Sequence, residues 1–328
     1  MDKKSKVSII CMTYNQQNYI EQTLKGFIEQ KTNFPYEVIV HDDASTDNTP
    51  EIIKKYVDMY PQIFKTVTQN TNQYSQGIHL LQVIQEKVFP LTEGKYIAFC
   101  EGDDYWCDEN KLQMQYDALN HHLNCSFSTH ATRKIKISGR KLPSRFPPIN
   151  LKTGTLSSDL IMHKELTTNP WIFQTSSFFI RREVFQNYLT KGSEFWRYFP
   201  VGDKPMLMYC LTEGDCFYID NEMSHYRTNA GVMKGINSHK DIKVTFNQKF
   251  MEGYKAFDKY SSGKYKDDID YRILAIQADT MLIQQNYREL LKPTYKDVFR
   301  TFSWKRKIAI VMGSIAPPIM KFFIRNDG

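Results

Sequence analysis

The chain has 328 residues and a formal net charge of +7, with 41% apolar, 24% charged and 14% aromatic residues. That balance belongs to a folded globular protein and excludes a disordered, collagenous or disulfide-framed chain. The positive charge is concentrated: Arg133, Lys134, Lys136, Arg140, Lys141, Arg145 and Lys152 follow one another with no acid among them, and Lys305, Arg306 and Lys307 form a second run. Such blocks attract phosphates. No recognised motif or basic helix of reading register accompanies them, so nucleic acid is not an expected partner. The six cysteines show no CxxC spacing, and the first apolar run is too short for a signal-peptide core. The expectation is a cytoplasmic protein with reduced, mostly buried thiols.

In chain order, residues 7–12 (VSIICM) form an unbroken apolar run, the mark of a strand covered on both faces. Ile20, Leu24, Phe27 and Ile28 then recur at helical spacing. A second strand is expected at 36–41, and Thr49-Pro50-Glu51 opens a second helix with Ile52, Ile53, Tyr56 and Val57 on its apolar face. Residues 95–100 read as a third strand, followed from Asp108 by a helix carrying Leu112, Tyr116 and Leu119. Strands alternating with helices predict an α/β fold with a mostly parallel, doubly wound sheet flanked by helices. From Ala131 to Gln174 the pattern is lost among basic residues, glycines and prolines, and an irregular region is expected. Strand character returns at 177–181 and 216–219, and beyond about residue 235 the chain reads as a helical C-terminal extension. The segment 304–325 is basic and then apolar but broken by Gly313, Pro317 and Pro318. It predicts either an interfacial segment on an anionic membrane or a helix hairpin packed on the protein.

In an open parallel sheet, ligands bind beyond the carboxyl ends of the strands. Here those ends carry Thr13-Tyr14-Asn15, Asp42-Asp43-Ala44-Ser45 and Glu101-Gly102-Asp103-Asp104. Acids converging on one edge repel one another unless a cation or a hydrogen-bonding ligand is present. Carboxylate oxygens are the donors that Mg²⁺ and Mn²⁺ prefer. Asp43 could accept a base-edge N–H. The competing roles are structural: Asp103 and Asp104 as turn and cap residues before the next helix, and Ser45 to Thr49 as the start of theirs. Trp106 and Trp171 suit either sugar stacking or the core.

VSIICMTYN at 7–15, EVIVHDDASTDNT at 37–49, GKYIAFCEGDDYW at 94–106 and GDKPM at 202–206 together resemble the family 2 glycosyltransferases, in the order and spacing of that family. Residues 72–77 also resemble a segment of members that build bacterial surface polysaccharides. The resemblance implies the GT-A fold over residues 1–232, with 233–328 as the extension. It implies an inverting transfer of a sugar from a nucleotide-sugar donor, a UDP-sugar by expectation, to a glycan or lipid-linked glycan acceptor; the basic and apolar tail adds the expectation of peripheral attachment to the inner face of the cell membrane. By the same resemblance Met12, Tyr14 and Asp43 bind the nucleotide. Asp103 faces the ribose or diphosphate, Asp104 with Asp103 holds Mn²⁺ or Mg²⁺, Asp203 is the general base, and Arg227 closes over the diphosphate. Thr175-Ser176-Ser177 resembles a stretch near the donor sugar. The chain departs from the family pattern at Glu101, which leads the acidic motif, and at Asn229, where many members have histidine. The other readings are a nucleotidyltransferase, which would carry a glycine-rich loop after the first strand, and an inactive nucleotide- or glycan-binding module.

Overall fold

The computed structural model describes residues 5–168, 171–230 and 239–315. The chain divides into two compact units, residues 1–234 and 235–328. In the first, Val7–Thr13 (β1) is buried at all but one position, as a strand covered on both faces must be. It pairs in parallel with Tyr36–Asp42 (β2) on one side and Tyr96–Phe99 (β4) on the other, and β2 pairs with Phe64–Thr68 (β3). Between them, Ile20–Ile28 (α1) buries Ile20, Leu24 and Phe27, and Thr49–Met59 (α2) buries Ile53 and Tyr56. Pro50 sits in the first turn of α2, where its missing N–H costs nothing. The C-terminal ends of β1, β2 and β4 therefore lie side by side on one rim.

Beyond β4 the sheet changes direction. Phe179–Arg181 (β9) is antiparallel to both β4 and Cys125–Ile135 (β6), and β6 runs parallel to Asp215–Arg227 (β10). The two-residue strand Tyr105–Trp106 (β5) pairs with β10 and completes the order β3-β2-β1-β4-β9-β6-β10-β5. Short helices at Leu80–Val83 (α3), Lys111–His121 (α4), Ser158–Thr167 (α5), Arg182–Thr190 (α6), Ser193–Trp196 (α7) and Asp203–Glu213 (α8) connect the strands.

One expectation is corrected. The basic stretch after Ala131 is not irregular: β6 continues to Ile135 and turns back as Lys141–Phe146 (β7), antiparallel to it. Gly154–Leu156 (β8) then pairs with β10, and α5 follows. Strand alternation was hidden because charged side chains occupy both faces. Glu222 of β10 neutralises Arg133 and Lys141, and Asp220 neutralises Arg145. Five of the six cysteines are buried and all are free; Cys107 is exposed.

The second unit is helical, with long helices at Lys240–Tyr260 and Lys266–Ile283 and a last described helix at Trp304–Ile315. Ala278, Tyr287, Leu290, Tyr295, Val298 and Ile310 form a core within it. Among the described residues no helix is long and apolar enough to cross a membrane. Residues 316–325 of the expected membrane-facing segment lie outside the described residues.

α1 packs so closely on β5 that a Cβ at Gly26 would lie 2.7 Å from the Trp106 carbonyl oxygen. Alanine normally stabilises a helix interior by up to about 1 kcal/mol over glycine. Gly26→Ala should instead destabilise by about 1–3 kcal/mol, since backbone has to move. A denaturant titration of the variant checks the sign.

Candidate active site

The rim is built by close backbone approach. The Gly102 N–H donates to the Met12 carbonyl at 3.0 Å, and a Cβ on Gly102 would sit 2.8 Å from Thr13 Oγ1 and 2.9 Å from Thr13 Cβ. The glycine inside the acidic motif is thus what lets the third strand end lie against the first. The first two strand ends are tied by side chains. Asn15 and Ala44 adopt left-handed conformations at φ 51° and 61°. Thr46 N–H donates to Asn15 Oδ1 at 2.8 Å, Asn15 N–H to Ser45 Oγ at 2.8 Å, and Gln16 N–H to Thr49 Oγ1 at 2.8 Å. Ser45 to Thr49 therefore do more than start α2.

Glu101, Asp103, Asp104 and Asp203 gather at this rim. Burial, then the charges of Asp103 and Asp203, push the Glu101 carboxyl up to about 8, and its Oε2 is buried without a hydrogen-bond partner. Burial also raises Asp103 and Asp104, and Asp104 additionally feels Asp103 and Glu101. Asp203 is pushed up to about 6 by burial, against hydrogen bonds from the Lys204 N–H (2.8 Å) and the Thr175 hydroxyl (3.3 Å). The Tyr226 hydroxyl is raised by burial and then by the charges of all four acids.

Asp103 and Asp104 do not cap the next helix, which begins only at Lys111. Asp104 is instead oriented by the Arg227 N–H at 2.9 Å and by Gln174 Nε2 at 3.5 Å. The Arg227 guanidinium is buried; it donates to the Asp103 carbonyl and to Gln22 Oε1 at 2.8 Å, and lies 4.5 Å from the Tyr19 ring centroid. Asp43 accepts the N–H groups of Gln73 (2.8 Å) and Tyr74 (3.2 Å), so its carboxylate anchors the 72–76 segment. Tyr14 is exposed at the end of β1 and Met12 half-buried within it. The structure thus brings Asp103, Asp104, Asp203 and Arg227 together, and places Met12, Tyr14 and Asp43 at the two neighbouring strand ends.

Trp106, Trp171 and His225 make contacts within the fold. Trp106 is buried, donates to the Ser176 carbonyl at 3.0 Å and lies under the Lys111 ammonium at 3.9 Å. Trp171 faces Lys204 Nζ at 4.5 Å, and Lys204 forms a buried ion pair with Glu165. His225 bonds Glu222 at 2.9 Å, while His163 is exposed. Sequence reasoning missed Gln22, Gln174 and Lys204, whose uncharged or capping-like contexts gave no signal.

A family model described as glycosyl transferase family 2 matches residues 8–189. The chain belongs to that family. This membership settles the fold class and enzyme class over the nucleotidyltransferase alternative. An uncharacterized protein of Mycobacterium tuberculosis is 39% identical over 168 residues, covering 51% of this chain and 46% of that protein. The putative teichuronic acid biosynthesis glycosyltransferase TuaG of Bacillus subtilis is 30% identical over 125 residues, covering 38% of this chain and 46% of TuaG. The chain spans about half the length of these curated relatives. Among solved structures, Staphylococcus aureus TarS 1–349 in complex with UDP-GlcNAc aligns with a TM-score of 0.53 at 16% identity, over 94% of this chain and 87% of that one. Mannosyltransferase PcManGT from Pyrobaculum calidifontis, in complex with GDP-Man and Mn²⁺, gives 0.51 at 14%, over 96% and 88%. At these identities the likeness bears on the fold alone: GT-A, with a helical C-terminal region.

Lys111 underlies this family 2 site as a fully buried cation whose ammonium donates to Gln115 at 2.6 Å, and burial lowers it to about 7. Between about pH 7 and 10.5 the unfolded chain binds more protons than the folded one, so this group's contribution to stability rises with pH there. Lys111→Met should therefore be more stable than wild type near pH 7, with the difference shrinking as pH approaches 10. Paired melts of the two proteins across that range test it.

Proposed function

We propose that residues 1–232 form the catalytic domain of an inverting, metal-dependent glycosyltransferase that moves a sugar from a UDP-sugar to an acceptor hydroxyl in bacterial surface glycan synthesis. The observation that carries this reading is the gathering of Glu101, Asp103, Asp104 and Asp203 on the strand-end rim of a family 2 chain. The donor class is supported by the UDP-GlcNAc complex of TarS, and the setting by the likeness to TuaG, a putative teichuronic acid biosynthesis glycosyltransferase.

The donor set suits Mg²⁺ or Mn²⁺, being all oxygen, crowded with negative charge and including the unpartnered Glu101 Oε2. Asp103 and Asp104 would hold the ion, Asp104 with its orientation already fixed by the Arg227 N–H. Among the described residues no three His, Cys, Asp or Glu side chains form a closed cage, so diphosphate oxygens would complete the coordination. A bound ion would offset the charge of the departing diphosphate.

The chain's own groups supply the rest. Tyr14 and Met12 flank the nucleobase at the end of β1, with Asp43 shaping the pocket through the 72–76 segment. Arg227, held by Gln22 and stacked on Tyr19, presents positive charge to the diphosphate. Asp203 takes the proton from the acceptor hydroxyl as its oxygen attacks the anomeric carbon from the face opposite the leaving group. A carboxyl at about 6 is ionised at pH 7 yet basic enough to accept that proton.

Asp203→Asn should keep wild-type melting temperature and UDP affinity while turnover falls by about a hundredfold or more. In wild type, turnover should decline as pH drops below about 6, because the base becomes protonated. Calorimetry with UDP, in Mn²⁺ and then in EDTA, tests the metal; equal affinity in both would remove it from this account.

The helix Trp304–Ile315 supports peripheral membrane attachment on the cytoplasmic side. Trp304, Ile308, Val311, Met312 and Ile315 are all exposed, at helical spacing, beside Lys305, Arg306 and Lys307. Trp304→Ser with Ile308→Ser should abolish salt-sensitive sedimentation with anionic vesicles; unchanged sedimentation would leave the helix as a packing element.

A further inference from the structure

The basic block after Ala131 divides into two kinds of cation. Arg133, Lys141 and Arg145 are neutralised within the fold by Glu222 and Asp220, at 2.7, 2.8 and 3.0 Å. Lys134, Lys136, Arg140 and Lys152 have no carboxylate partner among the described residues. Lys136 and Arg140 flank the β6–β7 turn, where Lys136 N–H donates to the Arg140 carbonyl at 2.9 Å and both side chains are exposed, and Lys152 is exposed in the following segment. Lys134 is different: half-buried, it lies 4.3 Å from the Phe146 ring centroid, and burial lowers its ammonium below the usual lysine range. Half-burying an ammonium without an anion is unfavourable unless a ligand supplies one.

This hairpin is joined to the candidate site. β6 pairs with β10 so that Lys134 lies opposite Tyr226 and Ile135 opposite Arg227. Phe146, under Lys134, makes an edge contact with Tyr226 at 5.7 Å, and the Tyr226 hydroxyl feels all four rim acids. A row of uncompensated cations thus runs from the turn to the edge of an acidic rim. That rim repels any anionic substrate, and the cations beside it offset the repulsion.

We propose that the β6–β7 hairpin is the binding surface for an anionic acceptor polymer, with Lys134 holding the charge nearest the reacting hydroxyl. This assignment rests on the proposed transferase function. The diphosphate of the donor has its own cation in Arg227, and the basic collar at 305–307 belongs to the other unit, so neither accounts for these four residues.

The test uses the full chain and a synthetic glycerol-phosphate oligomer, with a neutral glycerol oligomer of equal length as control. Wild type should bind the charged oligomer, more weakly as salt rises, and ignore the neutral one. Lys136→Gln with Arg140→Gln and Lys152→Gln should weaken binding on the order of tenfold. Lys134→Met should weaken it further. The charge-conserving set Lys136→Arg, Arg140→Lys and Lys152→Arg should restore it, which excludes misfolding as the cause. UDP affinity and sedimentation with anionic vesicles should be unchanged in every variant. Equal oligomer affinity in wild type and variants overturns the proposal. So does loss of vesicle binding, which would assign the hairpin to a membrane, or a parallel loss of UDP affinity, which would assign it to the donor. Failure of the transferase reading shows separately, as wild type that binds the oligomer but no UDP.

Discussion

Four carboxylates held on one rim repel one another, and much of the first unit is arranged to keep them there. Two like unit charges about 4 Å apart repel by about 4 kcal/mol at an effective dielectric near 20. The chain meets this in three ways. It fixes the acids by backbone: Gly102 against Thr13, and Asp104 on the N–H of Arg227. It inserts one guanidinium, that of Arg227, whose position is set by Gln22, Tyr19 and the Asp103 carbonyl. And it leaves the remaining charge partly protonated, with Glu101 at about 8. Were a cation to bind there, it would bind more readily as pH rises, because repulsion and burial keep these acids neutral at lower pH.

What the sequence revealed and what it hid follow from the range of the interactions. β1, β2 and β4 were legible because burial on both faces demands unbroken apolar runs, and the polar residues that end them mark the rim. The start of α8 at Asp203 falls within the GDKPM stretch that carries part of the family resemblance. The β6–β7 hairpin was not legible, since those of its cations that are paired find their partners on β10, with Glu222 lying 89 residues from Arg133 and 81 from Lys141. Gln22 and Gln174 carry neither charge nor period, yet they hold Arg227 and touch Asp104. Trp106 could be read as a sugar platform only while Ser176 and Lys111 were unknown as its neighbours.

The two halves of the site are held by different means. The strand-end side stands on β1, β2 and β4, where parallel pairing and laced turns fix the backbone. The Asp203 side stands on the start of α8, which belongs to no strand and needs other anchors. Lys204, next to Asp203, forms a buried ion pair with Glu165 of α5 and lies over Trp171. Glu165 in turn accepts the Ile172 N–H at 2.9 Å, just before Gln174 and Thr175, which reach Asp104 and Asp203. Breaking a buried pair by removing one partner costs about 3–5 kcal/mol, although the intact pair adds little net stability. Its value here is therefore positional: the connection that orients Asp203 also orients the segment touching the acidic motif. The spacing between Asp203 and the rim acids depends on that shared anchor more than on the sheet.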